Sequence, residues 1–263
     1  MQRILWVLAV LLVLPSTTGC GSSRARTNLS YGDSAREAYE IALEDFRDEN
    51  CEQAQPAFRR IRRNYSYSRY AALSELRLAD CLMIQKKYVE AISAFRTFTR
   101  YRPSHSDVPY ARFRIAEAFF EQIPSDFFLS PPAEERDQAQ TRDALRQLRQ
   151  FILDFPDDAH VGDANRMAHD ALTLLAKHEL YVAEFYLDRD HPNAAVQRLQ
   201  TLLHAYRGSG VEEEALLLLG RTYLHLDDAA HAREAFDELI RRFPESGHAA
   251  AAREYLAEMS AHG

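Results

Sequence analysis

Apolar and polar positions along this chain follow a pattern that repeats. A small residue is followed twelve positions later by an alanine, after four more by a large apolar residue, and often after eight more by a proline. Within each unit the apolar positions are three or four residues apart, the spacing of one helix face. The small residues that open the units are Ala42, Ala79, Ala116, Ala183 and Gly220. The pattern therefore predicts five pairs of helices, with small residues where the two helices of a pair meet.

One insertion interrupts this register. The opening residues are 37 positions apart, except between Ala116 and Ala183, where they are 67 apart. Part of the excess precedes Ala144 and surrounds a proline-flanked aromatic cluster, which predicts an ordered loop at about 123–138. The rest precedes Ala183, where 163–186 contains no proline or glycine. This stretch predicts an elongated first helix in the fourth repeat, which links the repeats on either side.

The repeating unit resembles the tetratricopeptide repeat, and Tyr186 and Tyr223 stand at that motif's tyrosine position. We therefore expect an all-α fold, with five tetratricopeptide-like helix-turn-helix repeats stacked into a curved α-solenoid. Repeats 1–3 are assigned to 34–157. Repeats 4–5, with the elongated linking helix, are assigned to 158–260.

The first residues have the form of a targeting segment. Arg3 precedes an apolar run over 4–14 that is too short to span a bilayer, and Cys20 follows shortly after. The segment resembles a bacterial lipoprotein signal, which implies a signal peptide over 1–19, diacylglycerol and N-acyl groups on Cys20, and a lipidated tether over 20–33. Gly21 after the cysteine, instead of aspartate, suggests the outer membrane by the same resemblance. An ordinary secretory signal with an incidental cysteine is the alternative.

Composition favours a folded helical chain without catalytic chemistry. Hydrophobic residues make up 46% of the 263 positions, too many for a disordered chain, and nine glycines and ten prolines are few for an all-β fold. Carboxylate pairs fall where helices begin and suit the helix dipole. Histidines are scattered, and no nucleophile or phosphate-loop motif occurs. We expect no catalytic residues, no metal and no cofactor.

Cys51 and Cys81 remain once Cys20 is set aside. An oxidising compartment would allow them to form a disulfide. The repeat register places them at different depths of neighbouring helices, however. We therefore favour two buried free thiols and keep the disulfide as the alternative.

Charge is distributed unevenly around a net value of −7, which disfavours nucleic acid as a partner. From Cys20 to Arg102 there are 15 lysines and arginines against 11 aspartates and glutamates, whereas from Pro103 onward there are 16 against 28. Arginines cluster at 59, 60, 62 and 63 on the predicted second helix of repeat 1. They indicate either a solvated helix face or a surface that attracts an anionic partner, such as acidic lipid headgroups or a peptide carboxylate.

Three stretches make a more specific resemblance. They are 101–111 at the boundary of repeats 2 and 3, the phenylalanine-rich insertion that ends at 135–137, and 175–186. Together with the signal and five elongated repeats, they are similar to the BamD (YfiO) family of outer-membrane protein assembly factors. The resemblance covers about 34–259. It implies a non-catalytic, lipid-anchored subunit of the β-barrel assembly machinery, at the outer membrane and facing the periplasm.

Partners and site residues follow from the same resemblance. The family binds the periplasmic domains of the barrel subunit through its C-terminal repeats, and Arg198 matches a basic position there. Its N-terminal repeats receive unfolded outer-membrane proteins, and from charge and repeat position we predict Arg69, Arg77 and Arg112 as candidates for the peptide carboxylate. Other assembly lipoproteins are further expected partners. A different periplasmic repeat lipoprotein, one that coordinates peptidoglycan synthesis, is the alternative.

Overall fold

A computed structural model describes residues 30–124 and 131–262, and all the regular structure in these ranges is helical. The α-helices are α1 (Tyr31–Arg47), α2 (Cys51–Asn64), α3 (Arg69–Ile84), α4 (Tyr88–Tyr101), α5 (Val108–Phe120), α6 (Ala139–Asp154), α7 (Val161–Leu187), α8 (Pro192–Ala205), α9 (Glu212–His225), α10 (Ala229–Arg242) and α11 (Gly247–His262). A short 3-10 helix over Ala133–Glu135 precedes α6. The predicted all-α class is confirmed.

Tight turns make helix hairpins of repeats 1, 2, 4 and 5. The described non-glycine residues with positive φ are Glu49, Lys86, Asp190 and Asp227, one in each of these turns. A residue in the left-handed conformation just after a helix lets the N–H groups that follow the helix donate to its last carbonyl oxygens. The chain then reverses within a few residues and the next helix begins. Repeat 3 has the insertion at this place, between α5 and α6.

The hairpins stack in chain order. Each helix packs on the next, and α1 on α3, α5 on α7 and α9 on α11 join the first helix of one hairpin to the following one. The large apolar residue of every repeat is fully buried on the second helix: Phe58, Phe95, Leu148, Leu199 and Phe236. The small residue that opens each repeat is buried as well. This arrangement is the predicted α-solenoid of tetratricopeptide-like repeats.

Close approach explains the glycine of repeat 5. A Cβ added to Gly220 would lie 2.3 Å from Cε1 of Phe236, whose ring also stacks on Tyr255 of α11 with centroids 5.2 Å apart. The last helix, α11, buries Ala249 and Ala252 in the same cluster. It therefore covers the apolar end of the stack, which would otherwise face water.

The longest helix is α7, with 27 residues that include 163–186. Ala164 lies in a cluster with Phe113 and Phe151 of repeat 3. Further along, Ala183 lies in a cluster with the second helix of repeat 4. One continuous helix therefore packs on both sides of the predicted boundary at 157/158.

A disulfide joins Cys51 to Cys81, with Cα atoms 5.5 Å apart, so the favoured assignment of two free thiols is wrong. Cys51 is the first residue of α2, and Cys81 lies in the last turn of α3. Because the two helices run in opposite directions, the start of one lies beside the end of the other. The repeat register compares each position only with its equivalents in other repeats, so it does not show this contact between α2 of repeat 1 and α3 of repeat 2.

The predicted signal peptide over 1–19, the predicted lipidation site Cys20 and 20–29 of the predicted tether lie outside the described residues, as do 125–130 of the insertion. In the part of the chain that is described, no helix combines the length and apolar character needed to cross a membrane.

Candidate functional site: an arginine-lined groove

The second helix of repeat 1 presents arginines along one edge. Its buried residues, Ala54, Phe58 and Ile61 among them, face the core, because they recur at three and four positions. Arg59 and Arg62 therefore fall beside this apolar stripe, at the edge facing α4. Both line a groove of about 470 Å³ between α2 and α4.

The floor and far wall of this groove are largely apolar. Leu78 and Leu82 of α3 form the floor, and Ala94 and Phe98 of α4 form part of the wall. Tyr101, at the end of α4, is 76% exposed at the rim. The groove thus offers apolar contact area along its length, with guanidinium groups on one side, a combination suited to an extended amphipathic peptide.

One carboxylate in the groove organises two of the arginines. Arg102 donates from Nε and Nη2 to the two carboxylate oxygens of Glu75, at 3.0 and 3.1 Å. Arg62 Nε lies 3.8 Å from the same carboxylate. Two cations on one anion leave this trio with a net positive charge, and the hydrogen bonds to Glu75 raise the pKa of Arg102, which stays charged.

Among the described residues Arg59 has only a neutral partner, since its Nη2 donates to Oε1 of Gln55 at 2.7 Å. Its guanidinium can exchange this bond for a carboxylate, which it binds in a bidentate manner. Beyond Arg59 the groove continues past Arg63, Ser66 and Ala71. This second part is also basic, so the positive charge follows the edge of α2.

A family profile described as "Outer membrane lipoprotein", that of YfiO, matches residues 32–236, which include every residue that lines the groove. The chain belongs to the YfiO family. The resemblance found in the sequence is therefore confirmed, and with it the expectation of a protein that is not an enzyme.

Relatives of this YfiO-family chain cover most of its length. It is 24% identical over 250 residues to the outer membrane protein assembly factor BamD of Neisseria gonorrhoeae, with 94% of this chain and 93% of the relative covered. It is 27% identical over 238 residues to the protein of the same name in Caulobacter vibrioides, with 90% and 75% covered. Among solved structures, MamA from Desulfovibrio magneticus RS-1 is 17% identical at a TM-score of 0.37, with 82% and 100% covered.

The three arginines predicted to hold a peptide carboxylate do not line this groove of the YfiO-family fold. Arg69, the first residue of α3, is exposed, and its Nη2 donates to the Tyr70 hydroxyl at 2.9 Å. Arg112 lines a neighbouring groove with Arg100, where its Nη2 donates to Asp154 Oδ2 at 3.0 Å. The structure therefore gives these arginines separate partners.

Arg77 belongs to a buried ionic cluster. Its Nη1 lies 3.1 Å from Oδ2 of Asp80, a residue only 1% exposed. Oδ1 of Asp80 lies 3.2 Å from Arg114 Nε and accepts the Tyr110 hydroxyl hydrogen at 2.7 Å. Removing Arg77 would leave the buried carboxylate of Asp80 with one cation fewer, and it would also remove the guanidinium that lies 5.3 Å from the centroid of the Tyr110 ring on α5.

Arg198, the predicted contact for the barrel subunit, lies on α8 and is 42% exposed. Its Nη1 donates to Oε2 of Glu179 on α7 at 3.2 Å. The side chain of Glu179 is only 10% exposed, so Arg198 neutralises a buried carboxylate while part of its guanidinium faces solvent. Its charge is therefore available to a partner only in competition with Glu179.

The sequence pointed to Arg59 and Arg62 through the arginine cluster but missed Glu75 and Arg102. These two are 27 positions apart and meet only because α3 and α4 form a hairpin. The repeat register does contain a signal for this pair. Glu75 stands four positions before Ala79, the opening residue of repeat 2, and Arg102 directly follows α4, the second helix of the same repeat.

Proposed function

We propose that this protein is a non-catalytic, lipid-anchored subunit of the outer-membrane β-barrel assembly machinery, which scaffolds the barrel subunit and receives unfolded outer-membrane proteins. Membership of the YfiO family carries this proposal, and relatives named as outer membrane protein assembly factors support it. The anchor would be Cys20, and the folded repeats would face the periplasm.

The groove between α2 and α4 is the proposed receiving site. An unfolded outer-membrane protein presents extended segments that alternate apolar and polar residues. Leu78, Leu82 and Phe98 would accept the apolar side chains, and Arg59 would take a carboxylate. Of the three arginines predicted from the sequence, Arg69 and Arg112 remain candidates outside the groove, while Arg77 is held by Asp80.

Arg198 remains the proposed contact for the barrel subunit, and it lies in repeat 4, far along the chain from the groove in repeats 1 and 2. Its partial exposure supports this role. Other assembly lipoproteins are expected in the same complex.

The test is purification of the tagged full-length protein from detergent-solubilised outer membranes, with identification of co-purified proteins by mass spectrometry. We expect the barrel subunit in stoichiometric amount with the wild type.

A peptide probe with a C-terminal carboxylate tests the receiving site. The Arg59→Glu variant should retain the barrel subunit but bind this probe less tightly. The matched control is Arg233→Glu, at an exposed arginine on α10. Recovery of peptidoglycan-synthesis proteins without the barrel subunit would overturn the proposal.

A further inference from the structure

The repeat register relates the groove of repeats 1 and 2 to a place in repeats 3 and 4. Second helices of repeats 1 and 3 correspond at an offset of 90 positions, which sets Arg59 against Arg149. Repeats 2 and 4 correspond at an offset of 104, which sets Ala71 against Leu175 and Glu75 against Glu179. The helices α6, α7 and α8 therefore correspond in the repeat register to α2, α3 and α4.

A second groove, of about 340 Å³, lies at this equivalent place. Arg142, Arg146 and Arg149 of α6 line one side, where Arg142 Nη2 lies 3.8 Å from Asp137 Oδ1 and Arg146 is paired with Asp143. Leu153, which is 76% exposed, and the buried Leu175 add apolar surface. Arg149 makes no hydrogen bond or ion pair with another described residue, and like Arg59 it is free to bind an added carboxylate.

The two grooves differ in whether a carboxylate lines them. Glu75 lines the first groove and holds two of its arginines. Glu179 does not line the second, because it is turned toward Arg198, and no other acidic residue among those described lines it. Among the described residues, the second groove is therefore lined by one arginine without an ion pair, Arg149, and by no acidic residue, within a half of the chain that is otherwise strongly acidic.

Tyr206 adds a neutral donor at the position equivalent to Arg102. Burial and then the nearby Glu179 carboxylate raise the pKa of its phenol, so the hydroxyl keeps its proton at neutral pH. The Tyr206 phenol and the Arg149 guanidinium, which line one groove with leucines, suit a carboxylate with an apolar neighbour.

We propose that the groove between α6 and Tyr206, the residue after α8, is a second peptide-binding site, which takes an acidic segment with adjacent apolar residues from a protein partner. The inference rests on the proposed function of the first groove, because both sites would bind the same class of peptide. Two sites on one scaffold would hold one extended chain at two points and raise the overall affinity above that of either site.

The test measures both stoichiometry and affinity. A fluorescent peptide of about ten residues, alternating leucine and glutamate and ending in phenylalanine with a free carboxylate, is titrated into the full-length protein in detergent; the length matches a strand that crosses an outer membrane. We expect two bound peptides in the wild type, one in Arg59→Glu, one in Arg149→Glu and none in the double variant. Affinity at the altered site should fall about a hundredfold, which leaves that site almost empty at the concentration that fills both sites of the wild type, and Arg149→Lys should retain part of the affinity.

One bound peptide in the wild type, lost in Arg59→Glu and unchanged in Arg149→Glu, would overturn the second site and leave the first intact. Binding that survives both substitutions would instead contradict the proposed function. A glutamine-substituted peptide that binds equally well would overturn the role of charge. Glycerol 3-phosphate, which carries the headgroup chemistry of anionic lipid, is the comparison ligand. Binding of it in place of the peptide at Arg149 would assign the groove to lipid and also overturn the inference.

Discussion

Arg102 and Glu75 form a bidentate pair that closes one end of the groove in repeats 1 and 2. The pair joins the residue after α4 to the middle of α3, and both side chains are about one third exposed or less. It therefore has two effects at once: it orients a guanidinium toward the groove, and it places a carboxylate where a peptide carboxylate would bind.

Replacing Glu75 with glutamine should increase the affinity of the groove for an acidic peptide. The change removes a competing carboxylate and releases the charges of Arg62 and Arg102, and we expect a gain of about fivefold, roughly 1 kcal/mol. Fluorescence anisotropy with the labelled peptide measures it, with Glu90→Gln at an exposed position of α4 as the control. A weaker affinity would show instead that Glu75 is needed to position the arginines.

Removal of the disulfide should destabilise the first two repeats. The bond joins residues 30 positions apart, and replacing both cysteines with alanine should lower the free energy of unfolding by about 3 kcal/mol. Urea unfolding followed by circular dichroism measures the change. Dithiothreitol should produce a similar loss in the wild type and none in the double variant. A reductant effect that persists without the cysteines would contradict the assignment.

Glu212 should make stability depend on pH. Burial opposes its charge, but hydrogen bonds from backbone N–H groups, those of Gly208 and Gly210 among them, outweigh this and lower its pKa. A carboxylate with a lowered pKa in the folded state stabilises above its unfolded value of 4.5, and this contribution is lost as the pH falls through the folded value.

We therefore expect Glu212→Gln to lose roughly 2 kcal/mol of unfolding free energy at pH 7. The difference from the wild type should shrink as the pH falls below 4.5. Urea unfolding across this pH range measures it, and Glu234→Gln, on the exposed face of α10, should show no such convergence. A difference that is constant with pH would mean that shape, rather than charge, is responsible.

A charge swap separates the two roles of Arg198. Arg198→Glu alone should destabilise repeat 4, because two carboxylates then face each other, and should also reduce co-purification of the barrel subunit. In the double variant Arg198→Glu with Glu179→Arg the pair re-forms and thermal stability should largely return. Co-purification should remain low, since the exposed charge is reversed. Recovery of both properties would show that Arg198 acts only within the fold.

Gly220→Ala should destabilise repeat 5 although alanine favours helices. Its Cβ would collide with Phe236, and we expect a net loss of about 2 kcal/mol in unfolding free energy. Adding Phe236→Leu should recover part of this loss by making room for the methyl group. Thermal unfolding measures both variants. An unchanged midpoint in Gly220→Ala would mean that α9 and α10 can shift apart at no cost.

The sequence predicts the helical repeats well because their register depends on spacing alone. Ala183 and Leu199 recur at fixed distances, so the solenoid could be recognised without knowledge of contacts. Contacts between elements could not be recognised in this way. The disulfide between Cys51 and Cys81 and the place of Glu75 in the groove cannot be predicted from spacing, because their partners are determined by how α2, α3 and α4 cross. The same limit applied to Arg77, whose charge is visible in the sequence and whose burial beside Asp80 is not.

The helix α7 determines the distance between repeats 3 and 4. At 1.5 Å per residue its 27 residues measure about 40 Å, without proline or a break. Since Ala164 packs in repeat 3 and Ala183 packs in repeat 4, these two repeats cannot change their spacing unless this helix bends. Two molecules bound on either side of α7 would therefore be held at a separation that the length of this helix determines.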